Sequence, residues 1–285
     1  MVEMKDYALA GDIAWCPGCG NFGILQAVKR ALVKLELEPH QVLMVSGIGQ
    51  ASKLPHYMKC NLFNGLHGRT LPVATGAKIA NPNLVVIADG GDGDGYGEGG
   101  NHLIHAIRRN IDITYLVHDN QIYGLTKGQA SPTSDDGFVT KTTPLGTFSR
   151  QLNPLTLAIS LGVSFVGRGF SGDIEHLSDL IAQAIRNRGF SLVDILQPCV
   201  TFNRVNTYQW YRSRVYRLDD TYNPRDRMAA FQKAQEWGER IPIGVIYLED
   251  RRTYEDHNPN LTEKPLVAQK HDIKSFEKIL DEFRV

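Results

Sequence analysis

Two rhythms of apolar residues alternate along the chain. Over residues 20–37 the apolar positions Ile24, Leu25, Val28, Leu32 and Leu35 recur at helical spacing, which predicts an amphipathic helix. Short continuous apolar runs at 41–46 (QVLMVS), 84–89, 164–167 and 191–197 predict buried strands, and periodic stretches at 155–161 and 173–188 predict helices between them. Strands alternating with helices in this way point to an α/β fold with a doubly wound, mostly parallel sheet. From 201 to 217 the text changes to TFNRVNTYQWYRSRVYR, dense in aromatics and arginines, a composition suited to a covering or interface segment. Beyond it come a periodic stretch at 227–237, an apolar run at 241–248 and a second periodic stretch at 273–283. The expected organisation is therefore one α/β domain over 1–200 and a C-terminal tail over 201–285, packed on the same domain or on a partner. There is no internal repeat and no low-complexity tract.

Composition changes this picture little. The 285 residues are 42% hydrophobic and 22% charged, ordinary for a globular protein with a sizeable core. A formal net charge of +0 argues against nucleic acid or an anionic membrane as a bulk partner. The apolar runs are too short to span a bilayer and MVEMKDYALAGD has no signal core, so a cytoplasmic location is expected. Four cysteines do not make a disulfide scaffold in a chain of this length; in a reducing compartment they are ligands, redox groups or core filler.

The chemistry centres on residues 88–123, ADGGDGDGYGEGGNHLIHAIRRNIDITYLVHDNQIY. They read as a strand ending in a Gly/Asp turn, a helix, a second strand and an Asp-Asn pair. Asp92 lies in Gly91-Asp92-Gly93, and Asn120 follows it by 28 positions. This resembles the diphosphate-binding signature of thiamine diphosphate enzymes. A parallel strand–helix–strand unit delivers both strand ends to one edge of the sheet, where Asp92 and Asn120 can share a Mg²⁺. Such an ion takes oxygen ligands, including phosphate oxygens. The flanking glycines let backbone approach a diphosphate, and the helix that follows offers its amides. A Gly/Asp-rich turn alone is a common feature after strands; the spacing to Asn120 is what makes the signal specific.

Other residues carry weaker signals. Cys16-Pro17-Gly18-Cys19 is compatible with half a zinc site, a thiol–disulfide pair or two ligands of an iron–sulfur cluster; the absence of a preceding strand counts against a thioredoxin-like motif. Zinc or a cluster needs two further ligands, and Cys60 and Cys199 complete a set of four, unless they are simply buried small residues. Gly47-Ile48-Gly49-Gln50 follows a strand and suits a second cofactor-facing loop. His67 precedes a helix, where it either faces a ligand or is structural. His102 and His105 are better explained by packing than by a metal. The turn-rich segment 123–150 follows Asn120 directly and is expected to cover the cofactor, with Lys127 either meeting an anion or simply solvated.

Taken together, WCPGCGN, SGIG, LHGR, GGDGDGYGEGGNH, DNQIYGLTKGQASPTS, QPC and TFNRVNTYQWYRSRVYRL resemble the β subunit of 2-oxoacid:ferredoxin oxidoreductases, over about residues 10 to 250. The TFN…NTY…WY segment is closer to 2-oxoglutarate or broad-range members than to pyruvate-specific ones. The resemblance implies thiamine diphosphate, Mg²⁺ and one [4Fe-4S] cluster on this chain. It also implies an α subunit that bears the pyrimidine-binding domain, ferredoxin as electron acceptor, and a 2-oxoacid and coenzyme A as substrates. It assigns Asp92, Asn120 and the Ile122 carbonyl to Mg²⁺. Ser46, Gly47, Ile48, Gly49, Gln50, His67, Gly91, Gly93, Asp94, Gly124 and Leu125 would line the cofactor, and Cys16, Cys19 and Cys199 would hold the cluster. The family's remaining cysteine directly follows SGIG, where this chain has Gln50; Cys60 is expected to replace it, since a cubane takes four thiolates, and the competing possibility is a cluster held by three cysteines or lost. Lys53 and Lys127 are candidates for the substrate's carboxylates, with His67 beside them. Competing readings are a cluster-free thiamine-dependent decarboxylase or transferase subunit, an indolepyruvate-type enzyme, and a zinc-stabilised interaction module.

Overall fold

Residue 91 of one strand stands opposite residue 118 of the next, and this pairing at the centre of the sheet sets where the chemistry lies. In the computed structural model, which describes residues 1–262, 264–270 and 273–284, the strands are β1 (Val42–Ser46), β2 (Asn61–Asn64), β3 (Val85–Gly91), β4 (Thr114–Asp119), a small pair β5 (Ile122–Tyr123) and β6 (Gln129–Ala130), β7 (Phe165–Phe170), β8 (Ser191–Leu196), β9 (Val215–Arg217) and β10 (Ile241–Leu248). The helices are α1 (Asn21–Lys34), α2 (Thr70–Ala80), α3 (Gly100–Arg109), α4 (Pro154–Ser160), α5 (Ile174–Arg186), α6 (Tyr208–Arg212), α7 (Arg227–Ala234), α8 (Pro259–Thr262) and α9 (Ile273–Glu282).

The main sheet runs β2-β1-β3-β4-β8-β7-β10-β9. It is parallel from β2 to β7, antiparallel between β7 and β10, and parallel again between β10 and β9. Successive side chains of a strand point to opposite faces, and both faces of the central strands β1, β3, β4, β8 and β7 are covered, so these strands are mostly apolar. Met44, Ile87, Leu116, Val193 and Ile195 pack under α1 and α5. Val45, Val86, Ala88, Val117 and Leu192 pack against α2, α3, α4 and α7. The doubly wound reading therefore holds.

Three differences from expectation have physical reasons. The 241–248 run is not part of a tail but strand β10, hydrogen-bonded to β7, and α7 packs beside α4; the sheet is continuous across residue 200. β2 escaped notice because all four of its side chains are exposed, leaving no burial pattern to read. Asp92 is followed not by α3 but by a widened helical turn, Gly93–Glu98, which the glycine run permits before α3 begins at Gly100.

Candidate active site

β3 and β4 are neighbours and parallel, so Asp92 and Asn120 leave the sheet from the same edge, and the loop after β1 joins them there. Together with Ile48, Gly49, Gln50, His67, Gly91, Gly93, Asp94, Ile122, Gly124 and Leu125 they wall one cavity of about 80 Å³. Most of the residues expected to line the cofactor thus meet in one place; Ser46 and Gly47 lie just behind the wall, buried.

One carboxylate ties the loops together. Asp94, 3% exposed, accepts from the backbone N–H of Ile48 (3.0 Å) and of Gly68 (2.8 Å), and from the Thr70 hydroxyl (3.2 Å). His67 Nδ1 lies 2.8 Å from the same carboxylate. Donating from Nδ1 leaves His67 Nε2 turned outward. A Cβ on Gly47 would come within 2.0 Å of Asp94 Oδ2, so only glycine lets the first loop close onto the carboxylate.

Asp92 is held from below by the segment after β6. The Ser131 and Thr133 hydroxyls both bond its Oδ2, and Thr133 Oγ1 is also 2.6 Å from Asp119 Oδ1. One hydroxyl proton cannot serve two carboxylates. Burial pushes Asp119 well above the ordinary carboxylate value, helped by the nearby charges of Asp194 and Asp92, which favours a proton shared within the Asp119–Thr133–Asp92 chain. Burial likewise raises Asp92 to about 6 and Asp194 to about 6, the latter against the opposing pull of Arg168. Asp194 also accepts from Tyr96 (2.8 Å). Behind Asp92, Asp119, Asp194 and Arg168 border a cavity of about 290 Å³. A buried His118 links Asp89 (3.0 Å) to Asn21 (2.9 Å) across the sheet.

The groups suit a hard cation. Asp92 meets hydroxyls and amides rather than a counter-charge, and its ionised form therefore stands uncompensated until a cation arrives. A carboxylate, the Asn120 carboxamide and the Ile122 carbonyl would supply oxygen donors of the kind Mg²⁺ prefers. Asn120 Oδ1 accepts from Ile122 N (2.9 Å), which together with the left-handed Gln121 (φ 59°) bends the chain sharply after β4.

The thiols divide. Cys16, Cys19 and Cys199 border a neighbouring cavity of about 90 Å³, which shares Gln50, Asn120 and Gly124 with the first. Cys199 is brought to Cys19 by a bond from Gly20 N to Pro198 O (3.2 Å). Soft sulfur donors fit an iron–sulfur cluster or zinc, not Mg²⁺. Among the described residues no group of three or more His, Cys, Asp and Glu stands in metal-binding geometry, so the thiols face one cavity without converging at liganding distance. Cys60 is not with them. Asn61 pairs with Leu43, which sets Cys60 at the entry end of β1, while Gln50 follows its exit end, a strand length of roughly 13 Å at 3.3 Å per residue. Cys60 packs instead against the α1-side core.

Lys53 and Lys127 do not wall the cavity. Lys53 lies in the turn of helix just after Ala51, and Lys127 is an exposed residue in a left-handed turn (φ 76°). The turn-rich segment also behaves differently along its length: Ser131, Thr133 and Ser134 are buried beneath Asp92, while Val139, Leu145 and Phe148 project outward. Sequence reasoning missed Tyr123, Ser131, Thr133 and Gln197. The first three stood in a stretch already singled out, but hydroxyls in a turn give no sign of which carboxylate they will serve. A larger groove of about 870 Å³ along α5 contains none of these residues.

Comparison with known proteins gives the same address. Residues 40–195 match the thiamine pyrophosphate enzyme C-terminal TPP-binding domain, and residues 199–263 match the family describing the C-terminal part of pyruvate ferredoxin oxidoreductase β subunits. The chain is 44% identical to the 2-oxoacid:ferredoxin oxidoreductase subunit beta of Saccharolobus solfataricus, over 92% of this chain and 91% of the relative. It is 46% identical to 2-oxoacid:ferredoxin oxidoreductase 1, subunit beta, of Aeropyrum pernix, over 85% and 80%. Among solved structures it is similar to a 2-oxoglutarate:ferredoxin oxidoreductase from Magnetococcus marinus with 2-oxoglutarate, coenzyme A and succinyl-CoA bound. That match has a TM-score of 0.91 at 36% identity and covers 98% of this chain and 96% of the other.

Proposed function

Since the chain belongs to the family of 2-oxoacid:ferredoxin oxidoreductase β subunits, we propose that it carries the diphosphate half of a thiamine diphosphate site. Its reaction is the oxidative decarboxylation of a 2-oxoacid with coenzyme A, best read as 2-oxoglutarate, with ferredoxin as acceptor. The observation that carries this reading is the meeting of Asp92, Asn120 and Ile122 with the Asp94-tied loops in a single cavity at the sheet edge.

The chain's own residues divide the work. Asp92, Asn120 and the Ile122 carbonyl would hold Mg²⁺, and through it the diphosphate. The loop Gly47–Gln50 and His67, set by Asp94, would position the cofactor, with His67 Nε2 available to accept from a substrate or cofactor N–H or O–H. The cofactor, when bound, supplies the electron sink for loss of CO₂. Cys16, Cys19 and Cys199 would hold the iron–sulfur group beside the same cavity, close enough to exchange electrons with it. The α partner would close the site and exclude water. Lys53 and Lys127 are neighbours in sequence of the wall residues Ala51 and Thr126, and would meet substrate carboxylates only from the rim.

The test uses the complex co-expressed with its α partner and measures coenzyme A-dependent reduction of ferredoxin with a panel of 2-oxoacids. Activity should require thiamine diphosphate and Mg²⁺, be highest with 2-oxoglutarate, and vanish in Asp92→Ala. A brown complex absorbing near about 400 nm, as iron–sulfur proteins do, is expected; a colourless zinc protein without turnover would overturn the reading. Lys127→Ala should raise KM for 2-oxoglutarate more than for pyruvate.

A further inference from the structure

The cavity of the three thiols is also bordered by two glutamines, and both have a buried carboxamide oxygen with no hydrogen-bond partner: Gln50 Oε1 and Gln197 Oε1. A buried carbonyl left unpaired costs about 1–3 kcal/mol, so these atoms need an explanation. Gln197, 1% exposed, directs its amide nitrogen to Pro198 O (2.8 Å) and toward Cys19 Sγ (3.5 Å), and so serves a sulfur already in the set. Gln50 is anchored through its main chain, where its carbonyl accepts from Trp15 Nε1 (2.8 Å), and its side chain is left for the cavity. Gln50 borders both cavities. The one other cysteine, Cys60, lies at the opposite end of β1.

We propose that the cluster is held by three thiolates, Cys16, Cys19 and Cys199, and that the carboxamide oxygen of Gln50 takes the fourth iron, on the side facing the thiamine diphosphate cavity. This rests on the reading above that an iron–sulfur cluster is present. Thiolates are the softer and stronger donors for iron in a cubane, so the iron on a neutral oxygen is the one that leaves. Oxidation by one electron, ferricyanide becoming ferrocyanide, takes the [4Fe-4S]²⁺ core to 3+. This core then separates into [3Fe-4S]⁺, retained by the three thiolates, and one Fe²⁺. Charge and iron balance without any further reactant.

The experiment takes the co-purified αβ complex, prepared without oxygen, adds ferricyanide stoichiometrically, and follows released Fe²⁺ with a chelator and the cluster by electron paramagnetic resonance. The natural complex should release one iron per cluster and develop a three-iron signal, and Fe²⁺ with a reductant should reverse both. Gln50→Cys should keep all its iron under the same treatment. Gln50→Ala should release it faster by roughly ten-fold, the scale on which metal-site substitutions act. Cys60→Ser should match the natural complex. Retention of all iron by the natural complex, release from Gln50→Ala at the natural rate, or altered iron content in Cys60→Ser would each overturn the assignment. A natural complex without iron before any ferricyanide is added would instead overturn the cluster reading itself, so the two failures are distinct.

Discussion

Asp94, itself buried, gathers donors from two separate segments, the loop after β1 and residues 67–70. Removing the acceptor leaves those donors unpaired at about 1–3 kcal/mol each. Asp94→Ala should therefore weaken thiamine diphosphate binding by at least roughly thirty-fold, about 2 kcal/mol, as read by calorimetric titration in the presence of Mg²⁺. At Asp92 the consequence is a pH dependence. Burial raises its pKa from 3.8 to about 6, so the folded chain holds a proton there that the unfolded chain has already lost. Stability then falls as pH rises from about 4 to about 6, by about 3 kcal/mol for a shift of this size. Melting curves of the cofactor-free protein should show that fall, with Asp194 adding to it in the same range, and Mg²⁺ with thiamine diphosphate should remove the share of Asp92 by supplying the missing counter-charge; equal slopes with and without the ion would rule out Asp92 as its ligand. Asp92 and Asn120 were legible in the sequence because their spacing reflects one crossover. Thr133 was not, since only the fold sets a hydroxyl between two carboxylates.

Elements place these residues by close docking. Helix α1 approaches the turn after β7 so nearly that a Cβ on Gly23 would lie 2.2 Å from the Ser171 carbonyl. The helix cannot retreat without carrying Cys19 away from Cys199. Gly23→Ala should cost about 1–3 kcal/mol, in line with overpacked cores, and lower the iron content of the purified complex in parallel with its melting temperature; normal iron in a destabilised variant would separate packing from cluster assembly. The β5–β6 pair has a similar role, since it returns the chain so that Ser131 and Thr133 reach Asp92 from beneath. Thr133→Val should destabilise the chain by about 1–3 kcal/mol through the bonds it removes from two buried carboxyls, while Thr133→Ser should restore most of it. Denaturant titrations decide between them. The parallel strands could be read from sequence because burial on both faces makes them continuous apolar runs. The exposed β2 and the short, half-exposed β9 carry no such mark.

The whole molecule presents one sheet edge on which the cofactor cavity and the thiol cavity lie side by side, sharing Gln50, Asn120 and Gly124. Outward from this edge the 136–150 segment exposes Leu145 (86%) and Phe148 (91%), apolar surface of the kind that anchors an interface. Phe148→Asp should reduce co-purification with the α partner while leaving the stability of the isolated chain within about 0.5 kcal/mol of its original value, as surface changes do; pull-down yields and melting curves check the two halves. No helix among the described residues is long and apolar enough to cross a membrane.

The alternation of apolar runs and periodic stretches determined the parallel sheet, and the interval from Asp92 to Asn120 determined that these two side chains leave the sheet at one edge, because both are properties of a local strand–helix–strand unit. Only the tertiary structure decided which cysteines meet. Cys60 lies nearer in sequence to the SGIG loop than Cys199 does, yet β2 pairs alongside β1 and holds it at the wrong end, while β8, far along the chain, delivers Cys199 beside Cys19. Strand register is a long-range pairing, set by which faces can be buried together, and it is not written at any single position of the chain.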